Sequence, residues 1–169
     1  MMSLRTFVLG LDVWLVRIET GLIIILVSCL TAVTFAQVVS RYLLGDPLIW
    51  SEESARYLFV WVSMIGAALA IREGSHFGLD FLIRRIPEFR PILARMANIV
   101  MIAFLVVVLK TGIDETRLAS MQFAMTFSMR MHWAYLALPV GSALMLFHLL
   151  INLVCLPTAH VLNVSQRSE

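Results

Sequence analysis

The sequence predicts an all-α integral membrane protein with four transmembrane helices, and two observations lead to this prediction. Of the 169 residues, 60% are hydrophobic and 14% are charged, whereas soluble proteins are about 45–50% apolar and about 25% charged. Four separate apolar stretches are also long enough to cross a bilayer, which takes roughly 20 helical residues. The chain, 1–169, is therefore predicted to form a single membrane domain.

The four predicted spans lie between charged or polar clusters. The second span has the shortest uncharged core, from Leu58 to Ile71, and Arg56 and Arg72 at its ends can extend toward the polar surfaces of the membrane. The predicted spans cover residues of about 21–43, 54–72, 92–113 and 133–156.

The distribution of basic residues predicts the orientation. Of the 13 Lys and Arg residues, 8 lie in the N-terminal segment, the second loop and the C-terminal tail, and 5 lie in the first and third loops. Because short cytoplasmic segments carry an excess of Lys and Arg, both termini are predicted to be cytoplasmic.

The segment before the first span has two open interpretations. Apolar residues recur at helical spacing between Leu4 and Ile18, and Arg5, Asp12 and Glu19 occupy the other face. This pattern is typical of an amphipathic helix in the cytoplasmic interface, and it suits a helical extension of the first span equally well. A cleaved signal peptide is disfavoured, because two acidic residues interrupt the segment.

Charged and aromatic residues concentrate where the second span begins. Two starts are open for its helix: Asp46 as N-cap with Pro47 at the first position, or Ser51 as N-cap. Capping and an aromatic belt explain part of the cluster, but the convergence of two acids, two arginines and a tryptophan favours an interface with another protein. The predicted interface residues are Arg41, Trp50, Ser51, Glu52, Glu53 and Arg56, together with Arg72 at the far end of the span and His76 beyond it.

A second candidate interface lies between the third and fourth spans. Met121, Met125 and Met129 recur every fourth residue, which predicts a helical contact surface. Unbranched thioether side chains adapt to irregular partners, so this surface suits a soluble partner that docks and releases. The alternative is a face that rests on lipid or on another membrane protein.

Small residues at spacings of four predict close helix–helix contacts. These contacts lie either within the chain or against another membrane protein. The residues are Ser28, Ala32, Ala36 and Ser40 in the first span, Ser63, Gly66, Ala67 and Ala70 in the second, and Ala137 and Gly141 in the fourth.

The sequence lacks the signatures of catalysis. It shows no nucleophile–base–acid grouping, no glycine-rich phosphate loop and no repeated metal-ligand spacing, and no predicted span core holds an acidic residue. The chain is therefore predicted to be neither an enzyme nor a self-sufficient carrier, and no cofactor is expected. A net charge of +2 is too small to indicate nucleic-acid binding.

One histidine lies within a predicted span, with Asn152 one helical turn after His148. A haem ligand would need a second histidine at a similar depth, and the sequence offers none. We therefore predict a structural hydrogen bond for His148 within or between helices.

Several segments together resemble one family of transporter subunits. They are Ser40-Arg41-Tyr42, the run from Pro47 to Trp61, Gly66-Ala67-Ala68, Ala70-Ile71-Arg72, His76, Asp80, and Tyr135 to Gly141. Over roughly residues 35–150 the chain resembles the small membrane subunit of tripartite ATP-independent periplasmic (TRAP) transporters.

The resemblance implies a scaffold subunit of a sodium-coupled secondary transporter in the bacterial inner membrane. Such a subunit stabilises a large elevator-type permease, which carries the ion and substrate sites, and helps to dock a periplasmic substrate-binding protein. The substrates implied are organic acids such as dicarboxylates or sialic acids, and membrane lipid surrounds the spans. The alternatives from the residues alone are a haem-bearing membrane anchor and a small self-assembling multidrug carrier.

Overall fold

The computed structural model describes residues 4–73, 90–126 and 128–155, and it is helical along most of this length. Four of its helices are long and apolar enough to cross a membrane, as the sequence predicted. The helices are α1 (Leu4–Val39), which continues as a π-helical turn (Ser40–Leu44), α2 (Ile49–Arg72), α3 (Arg90–Ala119), α4 (His132–Tyr135) and α5 (Ala137–Cys155).

The N-terminal segment belongs to the first span. Helix α1 runs without interruption from Leu4 to Val39, so the structure has the helical extension and not a separate interfacial helix. At 1.5 Å per residue, its 36 residues measure about 54 Å, which exceeds the roughly 30 Å hydrocarbon core. Part of α1 therefore extends beyond the hydrocarbon.

Helix α2 begins differently from both predicted starts. Its N-cap is Leu48, which has extended backbone and makes no side-chain capping bond. Asp46 instead lies in the preceding turn, where its backbone N–H donates to the Ser40 carbonyl oxygen and Gly45 adopts a φ of 70°. Ser51 lies inside the first turn, and its hydroxyl donates to the Leu48 carbonyl oxygen at 2.6 Å. The Ser51 hydroxyl thus stabilises the turn before α2 and does not cap the backbone N–H groups at the start of the helix.

Packing centres on α5. Helix α2 lies between α1 and α5, and α3 packs against the other side of α5. The described core contains Ala68 from α2, Leu105 from α3, and Met145 and Leu149 from α5. Since consecutive spans run in opposite directions, the 40–53 and 120–135 segments share one end of the bundle, here called the loop end. The opposite end, where Arg72 and His148 lie near the start of α1, is called the terminus end.

The small-residue faces divide between two environments. A side chain on Gly141 would bring its Cβ within 2.6 Å of Met64 Cβ, so this face packs inside the chain. In contrast, Ser28, Ala32 and Ala36 on α1 are exposed, and this face has no cover among the residues that the structure describes.

The contact at Gly141 yields a stability prediction. We expect Gly141→Ala to lower the free energy of unfolding by about 1–3 kcal/mol, because the added methyl overpacks against Met64 Cβ and backbone. Thermal unfolding of the purified chain in detergent measures the change. Gly21→Ala is the matched control: nothing lies within 4 Å of its Cβ position, so there the gain in helix propensity acts alone. Equal stability of the two variants would contradict the close α2–α5 contact.

The segment between α3 and α4 is not a helix, so this part of the methionine prediction is wrong. Phe123 and Arg130 form an isolated antiparallel bridge. The Ala124 N–H donates to the Met129 carbonyl oxygen at 2.8 Å, and the Met131 N–H donates to the Gln122 carbonyl oxygen at 3.0 Å. The backbone groups that a helix would use locally are instead paired across the loop.

Candidate functional site

A single carboxylate from α2 holds the tip of the 120–131 loop. Glu53 lies on the second turn of α2, facing that loop. Its Oε1 accepts hydrogen bonds from the Met125 N–H at 3.1 Å and the Tyr57 hydroxyl at 2.5 Å. Its Oε2 accepts from the Thr126 N–H at 2.9 Å and the Thr126 hydroxyl at 2.5 Å. Because the acceptor is an ionised group, these bonds are stronger than neutral ones, and the loop tip is fixed to the membrane helix.

The neighbouring acid makes a weaker and more exposed contact. Glu52 Oε1 accepts from Gln37 Nε2 at 3.1 Å and lies 3.5 Å from Arg41 Nη2. Both partners of the ion pair are more than half exposed, and exposed pairs contribute only about 0–1 kcal/mol. Glu52 therefore links α1 to α2 loosely, whereas Glu53 anchors a backbone segment.

An apolar cavity lies beside the anchored loop. It has a volume of about 610 Å³, is open to the surroundings, and is lined by residues of α1, α2, the 120–131 loop and the start of the fourth span. Trp61 fixes one wall, because its indole N–H donates to the Trp133 carbonyl oxygen at 3.1 Å. The other lining residues are Leu22, Leu26, Val33, Trp50, Ser54, Tyr57, Leu58, Met129 and Ala134.

The structure brings most of the sequence-predicted interface residues to the loop end, but they differ in accessibility. Arg41, Trp50, Glu52 and Arg56 are exposed, and Arg56 makes no ion pair within the described part of the chain. Ser51 is fully buried, so it supports the turn before α2 from inside. Glu53 is partly buried beneath the loop that it anchors.

The three loop methionines do not share a face. Met121 and Met125 are 88% and 97% exposed, whereas Met129 turns inward and lines the cavity. Of the remaining predicted residues, Arg72 lies at the terminus end, and His76 lies outside the described residues.

A buried ionisable cluster at the terminus end was missed by sequence reasoning. His148 Nδ1 lies 2.9 Å from Asp12 Oδ1, and His148 Nε2 lies 3.1 Å from both carboxylate oxygens of Glu19. Arg72 Nε donates to Asp12 Oδ2 at 3.2 Å. Asn152 donates to the carbonyl oxygens of Ile71 and Arg72. These contacts join α1, α2 and α5.

These contacts confirm one prediction and correct another. His148 makes the predicted interhelical hydrogen bonds. Because both of its ring nitrogens face carboxylates, neither nitrogen is available to bind a haem iron. The predicted start of the first span is what changes: the first candidate span, Gly10–Leu44, begins before Asp12 and Glu19, so both acids lie in its N-terminal part, outside the predicted core. Their spacing of seven residues places them on one helix face, as the sequence indicated, but this pattern does not identify their partner on α5. The carboxylates lie on opposite sides of the ring, and the described residues contain no grouping suited to a metal ion.

Comparison with known proteins finds relatives that are all components of one class of transporter. The model of the family described as tripartite ATP-independent periplasmic transporters, DctQ component, matches residues 30–158. The chain is 31% identical over 132 residues to the sialic acid TRAP transporter small permease protein SiaQ of Vibrio cholerae, covering 78% of this chain and 76% of that protein.

Two further relatives differ in how much of their length is matched. Identity is 34% over 116 residues to the sialic acid TRAP transporter permease protein SiaT of Haemophilus influenzae, covering 68% of this chain but 19% of that protein. It is 33% over 93 residues to the C4-dicarboxylate TRAP transporter small permease protein DctQ of Vibrio cholerae, covering 54% of this chain and 40% of that protein.

Proposed function

Because this chain belongs to the DctQ family of small TRAP transporter permease subunits, we propose that it is the scaffold subunit of a sodium-coupled transporter for organic acids. In this proposal the chain lies in the bacterial inner membrane, bound to a large elevator-type permease that carries the substrate and ion sites. The chain supplies four membrane helices and a rigid loop end. The family assignment replaces the haem-anchor and multidrug-carrier alternatives.

The observation that carries the docking part of this proposal is the loop anchored by Glu53. The carboxylate fixes the backbone at Met125 and Thr126, while the Met121 and Met125 side chains remain almost fully exposed. A fixed backbone that presents mobile, polarisable side chains suits a partner that binds and leaves repeatedly. The basic-residue distribution predicts that this end faces the periplasm, where a substrate-binding protein would arrive.

The membrane faces of α1 and α3 support a complex with a large permease. Large apolar side chains are exposed along α3, among them Ile99, Phe104 and Val107. The small-residue face of α1 is also exposed and permits close approach of another helix. The match to a permease protein of which this chain covers 19% supports a role beside a much longer permease sequence.

Substrate choice is assigned to the partners. The relatives named for sialic acid and for C4-dicarboxylate support an acid that carries a carboxylate as the substrate class. The two buried acids of this chain are occupied by His148 and Arg72.

Reconstitution tests the proposed function. The full chain is co-expressed with its large permease, purified through a tag on one chain, and placed in liposomes with the periplasmic binding protein. We expect both chains to copurify and sodium-dependent uptake of sialic acid or a C4-dicarboxylate to require both. Uptake by the permease alone at an unchanged rate would refute the scaffold role.

The exposed methionines give a prediction for docking. Changing Met121 and Met125 together to serine should raise the concentration of binding protein needed for half-maximal uptake by roughly tenfold, since apolar contact area is lost at the interface. The membrane complex should remain intact, because both side chains point away from the described protein. Uptake titrated against binding-protein concentration is the measurement.

Met129→Ser is the contrasting variant for this experiment. Its side chain lines the cavity, so the expected effect is lower thermal stability with unchanged docking. If the Met121/Met125 variant instead loses the permease during purification, these side chains contact the permease and the docking assignment is wrong.

A further inference from the structure

The cluster at the terminus end is more deeply buried than any other group of ionisable side chains that the structure describes. His148, Asp12 and Glu19 are 0%, 6% and 2% exposed. Arg72, which pairs with Asp12, is about one-third exposed at its side chain. Burial of this degree makes the number of protons in the cluster important, because an uncompensated charge or lone pair away from water is costly.

The hydrogen-bond geometry requires one proton more than the neutral side chain of His148 provides. Both ring nitrogens face carboxylate oxygens, at 2.9 Å on the Asp12 side and 3.1 Å on the Glu19 side. A neutral imidazole has one N–H donor and one acceptor nitrogen, and an ionised carboxylate only accepts. Both contacts are hydrogen bonds only if the imidazole is doubly protonated or one carboxyl group carries a proton.

Charge balance leads to the same conclusion. Among the described residues, the cluster contains two carboxylates, Asp12 and Glu19, and one guanidinium, that of Arg72, which pairs with Asp12. It is therefore neutral when it also holds one additional proton and carries a net negative charge when it does not. The described α3 side chains that pack near α5, Met101, Ile102 and Leu105, are apolar and supply no compensating charge. The nearby charged residues Arg17 and Glu73 are exposed to the surroundings.

We propose that Asp12, Glu19, Arg72 and His148 form a proton-binding site whose occupancy fastens the N-terminal part of α1 to α2 and α5. The bound proton comes from the side of the membrane that holds both termini. When it is lost, a nitrogen lone pair of His148 faces a carboxylate, and the contact between α1 and α5 weakens. The state in which α1 is attached binds the proton more tightly than the detached state does. A rise in pH that removes the proton therefore lowers the stability of the bundle.

Glu19→Gln separates proton binding from hydrogen bonding. The amide N–H₂ of glutamine can donate to His148 Nε2 while Nδ1–H donates to Asp12, so both contacts persist without the extra proton. Asp12 and Arg72 then balance each other in charge. We therefore expect this variant to keep α1 attached and to lose the pH response of the cluster.

The test compares the thermal unfolding midpoints of the full chain and of Glu19→Gln, both in lipid nanodiscs. The measurements run from about pH 6 to about pH 9, so the upper end of the range lies well above the usual titration of histidine. The expected result is that the native chain loses stability relative to the variant as pH rises. The two proteins are compared at each pH because a second histidine could also make stability depend on pH. This is His132, whose Nδ1 is buried without a hydrogen-bond partner among the described residues; it is present in both proteins, so its effect cancels in the difference. Parallel curves would overturn the proposal.

Magnetic resonance of the native chain gives a second, independent measurement if Glu19→Gln does not fold. Ring-¹⁵N histidine and side-chain ¹³C carboxyl labels report where protons reside, and His148→Gln assigns the ring signals. The expected spectrum at neutral pH shows either a doubly protonated His148 or one protonated carboxyl group at Asp12 or Glu19. A neutral His148 beside two ionised carboxylates would rule out the bound proton.

Discussion

Replacing Glu53 by glutamine is expected to impair docking of the binding protein more than any other single change at the loop end. The carboxylate accepts four hydrogen bonds from Tyr57, Met125 and Thr126. Glutamine offers one acceptor oxygen, and its N–H₂ group would face donors. We expect the loop tip to detach and the binding-protein concentration for half-maximal uptake to rise by at least about tenfold, because charge-assisted bonds are lost.

Glu52→Gln is the matched control, since Glu52 is the adjacent residue with the same side chain. Its contacts with Arg41 and Gln37 are exposed, so uptake should change little. A nitroxide on Met125→Cys, in a chain whose Cys29 and Cys155 are changed to serine because Cys29 is an exposed free thiol, reports the loop directly: its spectrum should show faster motion in Glu53→Gln than in Glu52→Gln. Identical spectra and uptake in the two variants would show that Glu53 does not anchor the loop.

The spans could be predicted from the sequence because hydropathy is a local property. The described ends of the third span shifted outward, from 92–113 to Arg90–Ala119, since Asp114 and Arg117 are compatible with a helix in water. The start of the first span moved further, from about residue 21 to Gly10. In the sequence Asp12 and Glu19 look like polar interruptions, and only their partners in the structure show that the helix can include them. Hydropathy therefore predicted which segments cross, and tertiary contacts determine where the helices end.

The partners of the key carboxylates could not be predicted in the same way. Asp12 lies 136 residues from His148, and Glu53 lies 73 residues from Thr126. No local pattern encodes such pairs. The sequence singled out Glu53 for contact with another protein, whereas the structure shows it bonded to a loop of its own chain. Its role in docking stays a prediction, now through the loop that it holds.

Removing the Asp12 carboxylate is expected to have the largest effect on stability. Asp12→Ala leaves His148 Nδ1 and Arg72 Nε without their acceptor. Breaking a fully buried pair costs about 3–5 kcal/mol. Because Arg72 is one-third exposed and can turn toward solvent, we expect a loss of about 2–3 kcal/mol in the free energy of unfolding.

The same change should free the N-terminal part of α1, which gives a local measurement beside global unfolding. Arg17 is exposed between the two acids, so trypsin should cleave after it faster in Asp12→Ala than in the native chain. Asp114→Ala removes an exposed acid from α3 and should change neither stability nor cleavage. If Asp12→Ala behaves like Asp114→Ala in both assays, the cluster does not fasten α1, and the continuity of this helix with the first span must depend on its apolar face alone.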